Sequence, residues 1–187
     1  MIDIGLDIST SCTGICILNV DSSLVDLQFI KLSHLDGLWK KSDVLREAFL
    51  QVSRNAENER VRYVFVEENL QMFRPGLSSA KTLTTLSKFN GIVSYVAREI
   101  FSADPVSVNV NHARKAVGLK LDRKDKIRNT KQQVFDWVEQ QLATNNYEWP
   151  TKVLKSGPRK GTIILEPGCY DMADAYVTCR AGQLSCT

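Results

Sequence analysis

The first 32 residues constrain the fold of this chain more than any other feature. Residues 2–8 alternate apolar with small or acidic residues, and residues 13–20 and 24–32 are also strand-like, with only four and three residues between these segments. A parallel connection needs a crossover of about a dozen residues or more. The sequence therefore predicts three consecutive antiparallel strands, with the apolar segment TGICILNV in a central position.

Helical and strand patterns alternate along the rest of the chain. Helices are predicted over about 36–58, 78–100, 112–117, 124–142 and 170–184, further strands over 61–66 and 105–110, and a hairpin with a basic tip over 153–165. We interpret residues 1–187 as one α/β domain. Its mixed five-stranded sheet has an antiparallel meander followed by two parallel strands, with helices on both faces.

Basic residues are clustered, although the net charge is only +3. Residues 111–131 contain eight Lys or Arg and two Asp, and residues 151–160 contain four Lys or Arg and no acid. Such clustering is typical of phosphate binding, but a solvated helix face with a basic loop would give the same composition. No apolar run approaches the roughly 18 residues of a membrane span. We expect a cytoplasmic protein without membrane contact.

Acidic residues inside apolar segments are the most informative exceptions in the sequence. Asp7 interrupts the first strand, and Glu67 follows the apolar Val-Phe-Val of the fourth. Asp171 and Asp174 lie three residues apart and so share one face of the last helix. The first and fourth strands are neighbours in the predicted sheet. If the last helix packs across them, the four carboxylates converge.

Four converging carboxylates repel one another and need cations to stay ionised. Oxygen-rich sites suit Mg²⁺ or Mn²⁺, and two such ions about 4 Å apart stabilise the attacking and leaving oxygens of phosphoryl displacement. Taken singly, Asp7 could form a turn, Asp171 could cap a helix, and Glu67 or Glu68 could end an exposed strand. Strand alternation would send Glu68 to the face opposite Glu67.

Three segments, in order, resemble the motifs of RuvC-type Holliday junction resolvases. They are residues 4–14 (IGLDISTSCTG), residues 64–67 (VFVE) and residues 171–175 (DMADA), and the resemblance covers about residues 2–180. It implies an RNase H-like fold, a homodimer and symmetric nicking of four-way DNA junctions. It also implies two Mg²⁺ ions per active site, replaceable by Mn²⁺, with Asp7, Glu67, Asp171 and Asp174 as catalytic metal ligands.

The resemblance also indicates which residues contact DNA. The segment 150–168 is longer than the corresponding link in the family, as in its viral or phage members, so we interpret it as an added basic hairpin. The resemblance to such members implies forks and flaps as possible substrates besides junctions, and a viral origin would place the protein in the host cytoplasm. Lys124 and Lys126 are alternatives for an active-site lysine. The predicted DNA-binding residues are Phe73, Arg74, Lys115, Lys124, Lys126, Lys155, Arg159 and Lys160.

Three other functions fit parts of the sequence. An actin-like phosphotransferase also begins with an aspartate after a strand, but the ten glycines form no second phosphate loop. Another RNase H-like nuclease, such as a packaging nuclease or an RNA–DNA hybrid cutter, would share the acidic site. A DNA-binding module without catalysis would keep only the basic segments. For the homodimer, the apolar face of residues 78–100, with Phe89, is either interface or core.

Overall fold

The computed structural model describes residues 1–56, 59–68, 80–145 and 147–186. Its central sheet has the strands β1 (Ile2–Ile8), β2 (Cys12–Asn19), β3 (Leu24–Lys31), β4 (Val61–Glu67) and β5 (Pro105–Val108). The strand order is β3-β2-β1-β4-β5. The pairs β1–β2 and β2–β3 are antiparallel, whereas β1–β4 and β4–β5 are parallel. The predicted meander and the two parallel strands are confirmed.

Helices cover both faces of this sheet, as predicted. They are α1 (Leu38–Asn55), α2 (Ala80–Phe101), α3 (Val110–Ala116), α4 (Thr130–Leu142) and α5 (Gly168–Ser185), and a 3-10 turn (Ala143–Asn145) follows α4. In the described ranges, no helix is both long and apolar enough to cross a lipid bilayer.

One core lies between the sheet and helices α1 and α2. Ile4 and Leu6 of β1 are fully buried there, together with Phe49 of α1 and Phe89 of α2. Phe89 is therefore a core residue, and the interpretation of this residue as interface is wrong. Because side chains alternate along a strand, the odd-numbered residues of β1, which include Asp7, face the opposite side of the sheet.

The second core lies on that opposite side, beneath α5. Phe65 of β4 packs there with Met172 and Ala175 of α5 and with Val138 of α4. Helix α5 contributes a run of buried residues from Met172 to Cys179 that contains a single acid, Asp174. The helix that carries two of the predicted metal ligands is thus the centre of this core.

Helix α4 begins at Thr130 rather than near residue 124. The side chain of Asn129 caps it by accepting a hydrogen bond from the backbone N–H of Gln132. Upstream, Asp122 and Asp125 accept backbone N–H groups and fold residues 122–128 into turns. The predicted helix was too long because Ile127 lies seven residues before Val134 and so extends the apolar spacing of α4 upstream of its first residue.

A two-stranded sheet projects between α4 and α5. Strands β6 (Thr151–Val153) and β7 (Ile163–Leu165) pair antiparallel, and Thr151 lies opposite Leu165. Gly157 in the connecting loop has a φ of 81°, a left-handed conformation that other residues rarely adopt. The side chains of Lys155, Arg159 and Lys160 in this loop are exposed.

Candidate active site

Two carboxylates of the site come from neighbouring parallel strands. Leu6 of β1 lies beside Val66 of β4, so the next residues, Asp7 and Glu67, lie side by side at the carboxyl edge of the sheet. Glu67 in turn lies opposite Val108 of β5. The strand register therefore fixes the first pair of acids.

Helix α5 brings the second pair of acids over the same edge. Gly14 lies opposite Asp7 in the sheet, and a Cβ at Gly14 would lie only 2.0 Å from the carbonyl oxygen of Asp171. A Cβ at Gly5 would likewise lie 2.4 Å from the carbonyl oxygen of Ala175. Only glycine permits so close an approach of helix to sheet. The acids of α5 are placed by these two contacts.

Electrostatic coupling among the acids is strong. Burial raises the pKa of Asp7 well above its ordinary value, and the charges of Glu67 and Asp174 raise it further. Burial and the charge of Asp174 raise the pKa of Glu67 to about 7. Burial also raises the pKa of Asp174, which is 7% exposed, although Arg114 opposes this shift. The site therefore carries more negative charge than its surroundings stabilise.

Two cations of the chain lie against the acids of α5. The Arg114 guanidinium of α3 lies 3.2 Å from Oδ1 of Asp174 and donates a hydrogen bond to it. Nζ of Lys131, in the first turn of α4, lies 3.5 Å from Oδ1 of Asp171. Burial opposes the charged form of Lys131, but Asp171 and Asp174 favour it more, so the pKa of Lys131 is raised. These cations partly neutralise the cluster.

Arg114 and Lys131 are site residues that were not predicted from the sequence. Lys131 would have given a signal only if the helix start at Thr130 had been predicted, because a cation in the first turn of a helix is disfavoured by the helix dipole and needs another partner. Arg114 carried no local signal, since its proximity to Asp174 depends on how α3 packs against α5. Lys131, rather than Lys124 or Lys126, is the lysine that lies against Asp171.

The donor chemistry of the cluster fits hard divalent cations. Its four carboxylates offer only oxygen ligands, which Mg²⁺ and Mn²⁺ prefer. Within the described ranges, however, no three His, Cys, Asp or Glu side chains are arranged to hold a metal ion as they stand. Asp174 and Asp171 are instead paired with Arg114 and Lys131. A bound cation would have to share or displace these pairs.

Glu68 occupies a different environment from Glu67. Its carboxylate accepts a hydrogen bond from the side chain of Asn109, and its backbone N–H donates to the carbonyl of Val108. Asn109 also caps α3, where it accepts hydrogen bonds from the backbone N–H groups of Asn111 and His112. Glu68 thus helps to hold the start of α3.

Comparison with solved structures identifies the architecture. The Thermus thermophilus RuvC structure in complex with a Holliday junction substrate superposes with a TM-score of 0.64 at 17% sequence identity, over 100% of this chain and 94% of that one. A second Thermus thermophilus RuvC structure superposes with a TM-score of 0.60 at 17% sequence identity, over 100% of this chain and 95% of that one. The chain has the RNase H-like fold of RuvC. A fowlpox virus resolvase in complex with Holliday junction DNA gives a TM-score of 0.48 at 16% identity, over 100% of this chain and 99% of that one.

No protein-family model and no curated protein sequence matches the chain.

The remaining predicted DNA-binding residues lie on the surface or beyond the described residues. Phe73 and Arg74 fall within residues 69–79, outside the described residues. Lys115, at the end of α3, is exposed, as are Lys124 and Lys126 in the turns before α4. The basic side chains of the hairpin are also exposed, except that Lys152 lies 3.4 Å from Glu166 and is partly covered.

Proposed function

We propose that this protein is a divalent-metal-dependent endonuclease that nicks branched DNA, with four-way junctions as its principal substrate. The observation that carries the proposal is the convergence of four carboxylates from β1, β4 and α5 on one edge of a RuvC-like sheet. Burial, and to a lesser extent mutual repulsion, raises the pKa values of Asp7, Glu67 and Asp174. Such an arrangement destabilises a protein unless a cation is part of its function.

Asp7, Glu67, Asp171 and Asp174 would hold the metal, with Mg²⁺ as the natural ion, Mn²⁺ as a substitute and two ions per site. Two such ions supply stabilisation of the attacking and leaving oxygens of a phosphodiester. The chain's own contribution is to fix the acids on a rigid strand edge and a buried helix.

Lys131 and Arg114 have a second role in this proposal. Their positive charges lie beside the carboxylates and favour the approach of a phosphate group to an otherwise acidic site. Lys131 belongs to the segment 111–131, which is rich in basic residues. We infer that the DNA backbone crosses this segment, Lys115, Lys124 and Lys126 included, and continues to the basic hairpin.

The whole chain forms one nuclease domain in this proposal, and the hairpin over residues 150–168 is an insertion that contacts DNA. A homodimer matches a junction with twofold symmetry, because one site cuts one strand and resolution needs two cuts. Forks and flaps share the branch point and are further substrates.

A cleavage assay with matched substrates tests the proposal. A labelled four-way junction, a fork, a linear duplex and an RNA–DNA hybrid of the same sequence are incubated with the protein in Mg²⁺, in Mn²⁺ and in EDTA. We expect cleavage of the junction in either metal and none in EDTA. Asp7→Asn and Asp174→Asn should abolish cleavage and retain junction binding, because phosphate contacts carry most of the affinity.

The other functions are distinguishable outcomes of the same assay. Preferential cleavage of the hybrid or of linear duplex would assign another RNase H-like nuclease. Binding to the junction without cleavage in any metal would assign a DNA-binding module. Near wild-type cleavage by Asp7→Asn or Asp174→Asn would overturn the assignment of the metal ligands.

A further inference from the structure

Ile127 is a large apolar residue at the surface of the most basic part of the chain. Its side chain is 95% exposed, more than Trp39 at 72% or Ile163 at 68%. It lies in the segment that connects α3 to α4. Single exposed apolar residues are common on protein surfaces. The exposure of Ile127 therefore indicates a function only together with the rigidity of its segment and the charge of its neighbours.

The segment that carries Ile127 is firmly built. The carboxylate of Asp125 accepts hydrogen bonds from the backbone N–H groups of Ile127 and Arg128 and from Nε of Arg128. The side chain of Gln133, in α4, binds the backbone of the segment at Asp122 and at Arg128. The loop is therefore anchored to α4 at both of its ends. The side chain of Ile127 is therefore exposed on a segment whose backbone is fixed by hydrogen bonds.

Basic residues flank Ile127 along the chain. Arg123, Lys124 and Lys126 are exposed, and within the described ranges none of them forms an ion pair. Lys131 follows Ile127 by four residues, which limits the separation of their Cα atoms to about 14 Å. Because Nζ of Lys131 lies 3.5 Å from Oδ1 of Asp171, this limit ties Ile127 to the neighbourhood of the acidic site.

We propose that Ile127 packs against a base pair at the branch point of the DNA substrate. This inference rests on the proposed function. Base pairs that flank a branch point lack a stacking neighbour on one side and expose an apolar face. Proteins that bend duplex DNA insert isoleucine and similar apolar side chains between base steps. A base pair at a branch point offers such a side chain an already exposed face. Ile127 would thereby give preference for branched over linear DNA, which phosphate contacts alone do not supply.

Binding assays on branched and linear DNA test this role. Ile127→Ala and Ile127→Asn are compared with the wild type in EDTA, using a four-way junction that carries 2-aminopurine beside the branch point and a linear duplex of the same sequence. We expect junction affinity to fall about tenfold, from the loss of one buried apolar side chain. Duplex affinity should change less than twofold. Packing of Ile127 on that base pair should change the 2-aminopurine fluorescence when the wild type binds, and this change should disappear in both variants.

Val25→Ala is the matched control. Val25 is 51% exposed on β3, near the opposite end of the sheet from the acids, and its replacement should change neither affinity nor fluorescence. Thermal unfolding should show that all the variants fold like the wild type.

Failure of this inference differs from failure of the proposed function. If the wild type prefers and cuts junctions but the Ile127 variants bind like it, Ile127 does not contact bases. Equal losses on junction and duplex, or a change in sedimentation mass in place of a binding defect, would also overturn the role. If the wild type neither prefers nor cuts junctions, the proposed function fails and this inference fails with it.

Discussion

At the scale of single residues, the ionised carboxylates of the acidic site lower the stability of the folded protein. Glu67 has an ordinary pKa of 4.5 and a pKa of about 7 in the folded protein because of burial and the charge of Asp174. The folded state therefore binds a proton more tightly than the unfolded state. The stability contributed by this group is fully present below about pH 4.5 and is lost as the pH rises towards 7.

Glu67→Gln should therefore stabilise the metal-free protein at neutral pH. We expect a gain of roughly 1–3 kcal/mol, or several degrees in Tm, because the amide needs no counter-charge. Thermal unfolding in EDTA between pH 5 and 8 measures this, and the advantage of the variant should shrink towards pH 5. Glu139→Gln, at an exposed position of α4, is the control. The electrostatic account fails if both variants have the same Tm at pH 8.

Arg114 should compete with a divalent ion for Asp174, since its guanidinium lies 3.2 Å from the carboxylate oxygen. Arg114→Gln removes that positive charge and leaves Asp174 available. We expect the Kd of the protein for Mn²⁺ to decrease about tenfold, a typical effect of one unit charge at this range. Isothermal titration with Mn²⁺ measures it, with Arg46→Gln on the exposed face of α1 as control. Unchanged or weaker Mn²⁺ binding by Arg114→Gln would contradict the competition.

At the scale of elements, the seating of α5 on the sheet decides whether the four acids meet. Gly14 and Gly5 allow backbone contact between helix and strand. Gly14→Ala would place its Cβ 2.0 Å from the carbonyl oxygen of Asp171, which is backbone and cannot rotate away. The helix must then move outward and take Asp171 and Asp174 with it.

We expect Gly14→Ala to cost about 2 kcal/mol or more and to reduce cleavage sharply. Gly91→Ala is the matched control, because a Cβ there meets nothing within 4 Å and α2 should gain up to about 1 kcal/mol. Denaturant unfolding and junction cleavage are measured for both. Wild-type cleavage by Gly14→Ala would show that close seating of α5 is unnecessary for the site.

Elements with a strong local pattern were predictable, whereas contacts between elements were not. Strand β1 was predicted with its observed bounds, Ile2–Ile8, because alternation marks both of its ends. The start of α4 was misplaced, since the cap at Asn129 competes with helical spacing further upstream. The pairing of Arg114 with Asp174 spans 60 residues and depends on how α3 meets α5. The strand ends and the helix that carry the acids could be predicted, whereas the pairing of Arg114 with Asp174 could not.

The basic hairpin is an element whose role can be tested alone. Lys155→Ala, Arg159→Ala and Lys160→Ala together remove three exposed charges, and Lys152, which pairs with Glu166, is left intact. Binding to all branched substrates should weaken alike, and the log–log salt slope should flatten by nearly one unit per lost phosphate contact. The control removes Lys40, Arg46 and Arg54 of α1, which packs on the other face of the sheet. Wild-type affinity and salt slope in the hairpin variant would show that the hairpin does not touch DNA.

At the scale of the whole molecule, the two faces of the sheet have different surfaces. The acids lie on the face covered by α5, whereas α1 and α2 cover the other face and expose aromatic side chains. Trp39 of α1 is 72% exposed and Tyr95 of α2 is 59% exposed. Leu38, Trp39 and Ile92 line one surface cleft, and Tyr95 lies one helical turn beyond Ile92. This surface, rather than the buried Phe89, is where a second copy would pack in the proposed homodimer.

Trp39→Glu combined with Tyr95→Glu should break that homodimer, because two copies of a twofold interface would each bring new negative charges together. Sedimentation velocity should show a monomer at concentrations where the wild type is a dimer. On a plasmid that extrudes a cruciform, the variant should give nicked circles in place of linear product, since uncoupled sites cut one strand at a time. Val20→Glu combined with Val25→Glu, at the far end of the sheet, should retain the dimer and the paired cuts. If the wild type is a monomer and still makes paired cuts, the proposed dimer is disproved. If the variant with Trp39→Glu and Tyr95→Glu remains a dimer, the interface lies on another surface.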